Sequence, residues 1–426
     1  MRLILKVPPD ASFLSSALYE GVAYLLSVAG GRVTPNYIEL PDDAFARAFR
    51  EVAKDEERLS GVKIASTRND RKSINNLLKS LGVNPEDFWP EKKKGGKASI
   101  VPYGNLIGKV AEVSISKPEV LNRPGTVELS VRLKGKEIFV GSGEPFLSLA
   151  LFKSCDKYGS LRVWEFTSLG EQVRQKLSIN AALTCLLGLY SSYVGRVGNT
   201  NLFLFLDPSE VVEVLSTSMM SGKDPSEALR WRINVRNTGK EVITDFLEAA
   251  VVPPAVLTRL ALSVKFAEAL EGTDIEALRL RLVRVDEEGN IYKVYGDMPI
   301  EARREPLLKG RLSEKLSEHV SKSSPLMRCV QLFVWKGQGR GVRLCEENDH
   351  VLKAVDALYR FVALRDPTAL AEYARHLRDA ADVLEAAVRG GESGATAWRM
   401  NTYRRWVAGL DYAVRELMER VFGSSA

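Results

Sequence analysis

Residues that could do chemistry are few in this sequence, and their spacing argues against most catalytic sites. The four cysteines, Cys155, Cys185, Cys329 and Cys345, form no CxxC pair and lie mostly in apolar segments. They read as packed thiols rather than as a zinc or iron–sulfur site. The three histidines, His319, His350 and His376, are equally scattered. No GxxxxGK[ST] phosphate loop occurs, because Gly108-Lys109, Gly135-Lys136, Gly222-Lys223 and Gly239-Lys240 lack the upstream glycine and the following hydroxyl. HExxH and GxSxG are also absent. Asp207 follows an apolar strand-like run, where a two-metal nuclease would want a carboxylate. Asp207-Pro208-Ser209-Glu210 is also a helix-start box with Asp at the N-cap, Pro at N1 and Glu at N3, which is the preferred reading. A triad assembled from distant residues is defined by geometry and stays open.

Gly337-Gln338-Gly339-Arg340-Gly341 looks like part of a dinucleotide fingerprint. It sits between two strand-like runs, Val330 to Trp335 and Val342 to Leu344, and no helix begins at its end to bind a pyrophosphate. It therefore reads as a glycine-rich hairpin tip. Lys336, Arg340 and Arg343 flank it, and such a tip suits either phosphate contact or solvent. Two further basic clusters stand out. One is the loop carrying Lys92, Lys93, Lys94 and Lys97, which has two glycines and no apolar residue. The other is Arg230-Trp231-Arg232 with Arg236, where guanidinium and indole planes could stack on a base or clamp a backbone. Arg399, Arg404 and Arg405 form a weaker fourth cluster. Any of these could equally be a solvated face, but several basic loops on a chain without catalytic groups favour binding over chemistry.

The elements that must position these residues follow from periodicity. Residues 2–7 predict a strand, Phe13 to Ala29 a helix ended by Gly30-Gly31, and Pro41-Asp42-Asp43 the cap of a helix running to about Arg58. Val62 to Ala65 suggests a short strand and Asp70 to Leu81 a basic helix. Val127 to Leu133 alternates with period two and returns through Glu137 to Val140 as a hairpin. Leu177 to Val194 reads as a helix buried on most sides, and Asn201 to Leu206 as a buried strand. Helices are expected over 224–236 and 241–270, then a second hairpin from Leu278 to Val285 and Ile291 to Tyr295 with one basic face. At the end, three amphipathic stripes (Val351 to Val362, Leu370 to Val388, Trp398 to Val421) predict a helical bundle.

The expected fold class is α+β: a mixed α/β body with short hairpins and a buried helical centre, followed by a C-terminal three-helix bundle. The expected domains are 1–120, 121–348 and 349–426. The chain of 426 residues is 45% hydrophobic, enough for at least one large core. No apolar run approaches the ~18–20 residues of a membrane span, and the start of the chain lacks the pattern of a signal peptide. The expectation is a cytoplasmic protein with no membrane partner. Scarce glutamine with abundant Arg, Glu, Leu and Val resembles the composition of thermophile proteins. A net charge of +6 is mild for a nucleic-acid binder, so its distribution matters more than its sum.

Three stretches carry a resemblance to a family: RLILKVPPDASFLSSALYEGVAYLLSVAG at the start, SINAALTCLLGLYSSYVG in the middle, and VLKAVDALYRFVALRDPTALAEYARHL near the end. With this layout the chain resembles the large subunit of an archaeal type I-A (apern-type) CRISPR Cascade surveillance complex. The resemblance implies a non-catalytic, antiviral-defence role without cofactors or a bound metal. The protein would recognise the protospacer-adjacent motif (PAM) in double-stranded target DNA and help open it, beside guide RNA, the backbone subunits and a helicase–nuclease that cuts. It would leave the terminal bundle to line the displaced strand, and it assigns no individual PAM-reading residue. Two other readings compete: an archaeal metal-dependent nuclease or nucleotidyl transferase with a non-obvious carboxylate site, and a scaffold that binds only protein.

Overall fold

The computed structural model describes residues 1–10, 12–90, 101–134, 137–155, 174–245, 256–271, 273–288, 291–304, 311–337, 343–363, 366–391 and 394–422. The fold is α+β, as the patterning predicts. The chain divides into two compact units, Met1–Arg236 with Arg279–Ile300, and Asn237–Leu278 with Glu301–Ala426.

In the first unit the elements run β1 (Arg2–Lys6), α1 (Phe13–Ala29), β2 (Arg32–Val33), β3 (Ile38–Glu39), α2 (Ala44–Ala53), α3 (Glu56–Gly61), α4 (Arg71–Ser80) and α5 (Tyr103–Ser116). They continue through β4 (Thr126–Lys134), β5 (Glu137–Val140), α6 (Ala150–Cys155), β6 (Arg174–Leu177), α7 (Ile179–Ser192), β7 (Tyr193–Val197), β8 (Thr200–Leu206), α8 (Pro208–Ser221) and α9 (Ser226–Asp245), which counts with this unit up to Arg236 and with the second from Asn237. One sheet has the order β2-β3-β1-β4-β5-β6. Its β1 and β4 pair in parallel, Leu3 opposite Val127, so residues on both sides of the boundary expected near 120 share one sheet. The β4–β5 hairpin forms as read, Val131 opposite Val140. The run expected as a strand at Val62 to Ala65 makes only an isolated bridge, Ala65 to Pro102. Beside the bridge, the Ser66 N–H donates to the Val101 carbonyl at 2.8 Å and the Tyr103 N–H to that of Ile64 at 2.7 Å.

The centre of this unit is the crossing of α1 and α7. Ser12 caps α1 by accepting from the Ser15 N–H at 3.0 Å, and Ser178 caps α7 by accepting from Ala181 N–H at 3.2 Å. Both helices are buried almost all round. Small residues let their backbones touch: a Cβ on Gly21 would lie 2.0 Å from the Thr184 carbonyl oxygen, and one on Gly188 1.9 Å from that of Ala17. The apolar faces beside this contact carry Leu18, Val22, Leu183 and Leu187, all fully buried. Each such leucine contributes roughly 1.5–3 kcal/mol. Phe13, Phe203 and Phe205 pack edge-on and stacked against the same core at 5.1–5.7 Å between centroids.

A second sheet has the order β10-β9-β8-β7, with β9 (Ala277–Glu288) and β10 (Ile291–Arg303). The face of β9 expected to be basic is spent internally. Arg281 is buried, donates to the Ser16 hydroxyl and pairs with Asp297, while Arg279 bonds Glu210 at 2.7 Å and Glu213 at 2.8 Å.

The second unit holds α10 (Val256–Leu270), α11 (Arg311–His319), α12 (Pro325–Gly337), α13 (Asn348–Ala363), α14 (Ala369–Arg389) and α15 (Gly394–Phe422). The three expected C-terminal helices form, with α14 packed on both α13 and α15. They are not alone: α10 packs on α11 and α13, and α11 packs on α15. His319, at the end of α11, is buried in this packing. Its ring stacks on Trp406 at 3.9 Å and its Nδ1 lies 2.9 Å from the Tyr373 hydroxyl. Burial, with Lys315 and Arg405 nearby, pushes the His319 pKa down to about 3.

Two expected outcomes follow from this packing. Helix propensity alone would make Gly188→Ala stabilising by ~1 kcal/mol, whereas overpacking costs ~1–3 kcal/mol. Denaturant unfolding should show Gly188→Ala destabilised, while Gly61→Ala, where nothing lies within 4 Å, is not. For His319, a folded pKa near 3 against an ordinary value of 6.5 means the unfolded chain binds the extra proton first. Stability should therefore fall as pH drops from about 6.5 toward 3, by up to ~1.4 kcal/mol per unit. Replacing His319 with non-titrating Gln should flatten that slope in thermal melts across the window.

Candidate functional site

The basic residues picked out by sequence meet different fates. Lys92, Lys93, Lys94, Lys97 and Arg340 lie outside the described residues. Lys336 is on the last turn of α12, which corrects the reading of Val330 to Trp335 as a hairpin arm. This segment is helical because Ser324 Oγ caps it, accepting from Met327 N–H at 3.0 Å. Leu326, Met327, Cys329 and Val330 then bury one helical face. Arg343 follows, 83% exposed, with Glu346 Oε1 at 3.5 Å.

The arginine–tryptophan cluster is split: Arg232 and Arg236 turn inward, while Arg230 and Trp231, the latter 48% exposed, stay at the surface. Arg236 on α9 is fully buried, pairs with Glu20 and donates from Nη2 to Ser191 Oγ at 3.1 Å. One turn earlier, Arg232 lies 3.5 Å from Glu210 and donates to the Ala228 carbonyl. Arg230 is exposed and donates to the Ser27 carbonyl at 3.0 Å. Arg232 and Arg236 are thus packing residues. Sequence reading could not see this, because Glu20 lies 216 positions from Arg236. Asp207 is the N-cap expected of it, accepting from the Ser209 N–H at 2.9 Å.

The C-terminal helix carries two further exposed aromatic rings. Its stripe was expected to begin at Trp398, yet that ring is 47% exposed, while Thr396 before it and Thr402, Tyr403 and Trp406 after it are buried. Trp398, Arg405 and Tyr412 recur every seven residues, which places them on one side of the helix about 10.5 Å apart. Tyr412 is 63% exposed, and the Arg328 guanidinium lies 6.0 Å from the Trp398 ring centroid. Arg405 and Arg404 are held by Glu318 and Glu385 at 2.8 Å and 2.7 Å. The outer face of α15 thus presents two aromatic rings separated by a cation, on a rigid element. A surface of this kind can stack flat rings and attract anions.

Two clusters of potential metal ligands also assemble in this unit from residues scattered in sequence. His350 on α13 and His376 on α14 aim their Nδ1 atoms at Asp379 Oδ2 from 3.7 Å and 3.6 Å. The second is formed by Cys329, Cys345 and Glu347. Each cluster pairs a short spacing, His376 with Asp379 or Cys345 with Glu347, with a third residue from another helix, His350 or Cys329, that no sequence motif linked to it.

Among the described residues, no helix is long and apolar enough to cross a membrane. No protein-family profile matches the chain, and no solved structure matches it. A protein of Archaeoglobus fulgidus described as uncharacterized is 24% identical over 415 residues, covering 94% of this chain and 98% of that protein. The likeness therefore runs nearly end to end through both units.

Proposed function

We propose that this chain is a non-catalytic nucleic-acid-binding subunit, acting as the large subunit of a type I-A surveillance complex does in the family it resembles. The observation that carries this reading is the outer face of α15, with Trp398 and Tyr412 exposed on one side and Arg328 over the indole. Large aromatic rings are costly to leave in water, and two in helical register on a charged helix suit the stacking of unpaired bases. In this role α15 lines the strand displaced when guide RNA pairs with its target. Swapping duplex DNA for an RNA–DNA hybrid is nearly energy-neutral, so modest contacts to the displaced strand tip the balance. The PAM itself is read elsewhere, by basic residues that include exposed Arg343. Guide RNA, backbone subunits and a cytoplasmic helicase–nuclease complete the machine.

The test is fluorescence anisotropy with labelled single-stranded and duplex DNA at stepped salt. Log affinity for both should fall linearly with log salt, as phosphate contacts release counterions. The Trp398→Ala/Tyr412→Ala double variant should bind single strands at least roughly tenfold more weakly, since each stacked base is worth ~1–3 kcal/mol. Binding that ignores salt, absence of binding at low salt, or a double variant that binds like the parent would refute the proposal.

A further inference from the structure

The turn that opens α13 and the helix before it bring together a donor set that packing alone does not explain. Cys329 comes from α12, and Cys345, Glu347 and Asn348 come from the turn, closed by the Asn348 N–H donating to the Cys345 carbonyl at 3.2 Å. Both sulfurs and a carboxylate oxygen of Glu347 lie within 4.8 Å of one another. Asn348 Oδ1 lies 3.9 Å from Cys329 Sγ. Cys329 and Glu347 are fully buried, while Cys345 is half-buried.

Glu347 is the informative member. Its Oε1 is held by Arg399 Nη1 at 3.2 Å and by the Tyr403 hydroxyl at 3.4 Å. Its Oε2 is buried and has no hydrogen-bond partner, on a carboxylate that reaches to within 4.8 Å of both thiols. Leaving a buried carboxylate oxygen unmatched costs at least ~1–3 kcal/mol, so this atom calls for a ligand. We propose that Cys329, Cys345 and Glu347 bind a divalent transition cation of the zinc class, with Asn348 Oδ1 or a water at the fourth position.

Three features support the assignment. Around tetrahedral zinc, with bonds of about 2.3 Å to sulfur and 2.0–2.2 Å to oxygen, neighbouring ligand atoms stand roughly 3.4–3.8 Å apart. The cluster needs only a slight contraction to reach that spacing. Two thiolates and a carboxylate around a dication leave one negative charge, which Arg399, beside both Glu347 and Cys345, balances. Arg399 and Tyr403 also hold Glu347 through its Oε1, the support that metal-binding carboxylates receive. Thiolates select a soft or borderline cation over magnesium or calcium. The bound ion would tie α12 to α13. A Cys329–Cys345 disulfide is the competing state, but it would leave Oε2 as unmatched as before.

The experiment titrates cobalt(II) and then zinc into the reduced full-length protein. One equivalent of cobalt should bind with a near-ultraviolet sulfur-to-cobalt charge-transfer band, which zinc abolishes. Cys345→Ser should lose most of that band. Arg399→Gln should weaken zinc binding by about 10–100-fold, and Asp379→Asn should change neither. Several results would overturn the assignment: no cobalt uptake, cobalt bound without a thiolate band, or a band unaffected by Cys345→Ser. A band lost in Asp379→Asn would do the same, as would a native disulfide that mass spectrometry finds and that blocks uptake in the protein as purified.

Discussion

One buried ion pair holds the first unit in register. Glu20 sits in the middle of α1 and is fully buried, as is its partner Arg236 on α9. The same carboxylate accepts from the Ser191 hydroxyl at 2.7 Å and from the Leu206 N–H at 2.9 Å. It therefore joins α1, the end of α7, the end of β8 and α9 at a single point. Burial depresses the Arg236 guanidinium and the nearby Glu20 opposes that shift. Burying two charges costs several kcal/mol per ion, and removing one partner of such a pair costs about 3–5 kcal/mol. The glycine contacts between α1 and α7 let the two backbones approach closely enough for Ser191 to reach Glu20. Close approach and charge pairing thus depend on each other.

This constraint changes how the basic sequence clusters are to be understood. An arginine that satisfies a buried carboxylate is no longer a candidate for phosphate contact. The same is true of Arg232 and Arg279 on Glu210 and of Arg399 on Glu347, while buried Arg281 is taken up by Asp297 and Ser16. These arginines are committed to internal carboxylates or hydroxyls. Exposed aromatic area with a cation beside it is found at Trp398 and Tyr412 on α15 and at Trp231 beside Arg230 on α9. The interior of the second unit is spent differently, with His319, Tyr373 and Trp406 packed ring against ring and Glu347 locked by Tyr403 and Arg399.

Much of the local structure was legible because local chemistry dictated it. α1 runs from Phe13 to Ala29 and stops at Gly30 as expected. α7 is shorter than expected, since Leu177 ends β6, Ser178 caps the helix and Tyr193 already starts β7. Period-two alternation located the β4–β5 hairpin and β9, and the apolar run located β8. Failures had specific causes. In α12 the β-branched and aromatic run Val330 to Trp335 resembles a strand, and only the Ser324 cap and the buried Leu326–Val330 face argue otherwise. α9 was cut near Arg236, although the helix passes through Gly239 to Asp245. A glycine in a helix costs ~1 kcal/mol, which packing overrides. The site was less legible than the fold. Partners of Arg236, of Cys329 and of His350 lie on other elements, and spacing rules see only neighbours. Trp398 carries the right period for burial, yet its ring stays at the surface between buried Thr396 and Thr402.

If the outer face of α15 touches nucleic acid as proposed, ultraviolet light should cross-link it to single-stranded DNA. Mass-spectrometric mapping of the modified peptides of the full-length protein should then find cross-links at Trp398 or Tyr412 that vanish when salt is raised. Cross-links confined to the first unit, or none at all under conditions where DNA is bound, would rule that contact out.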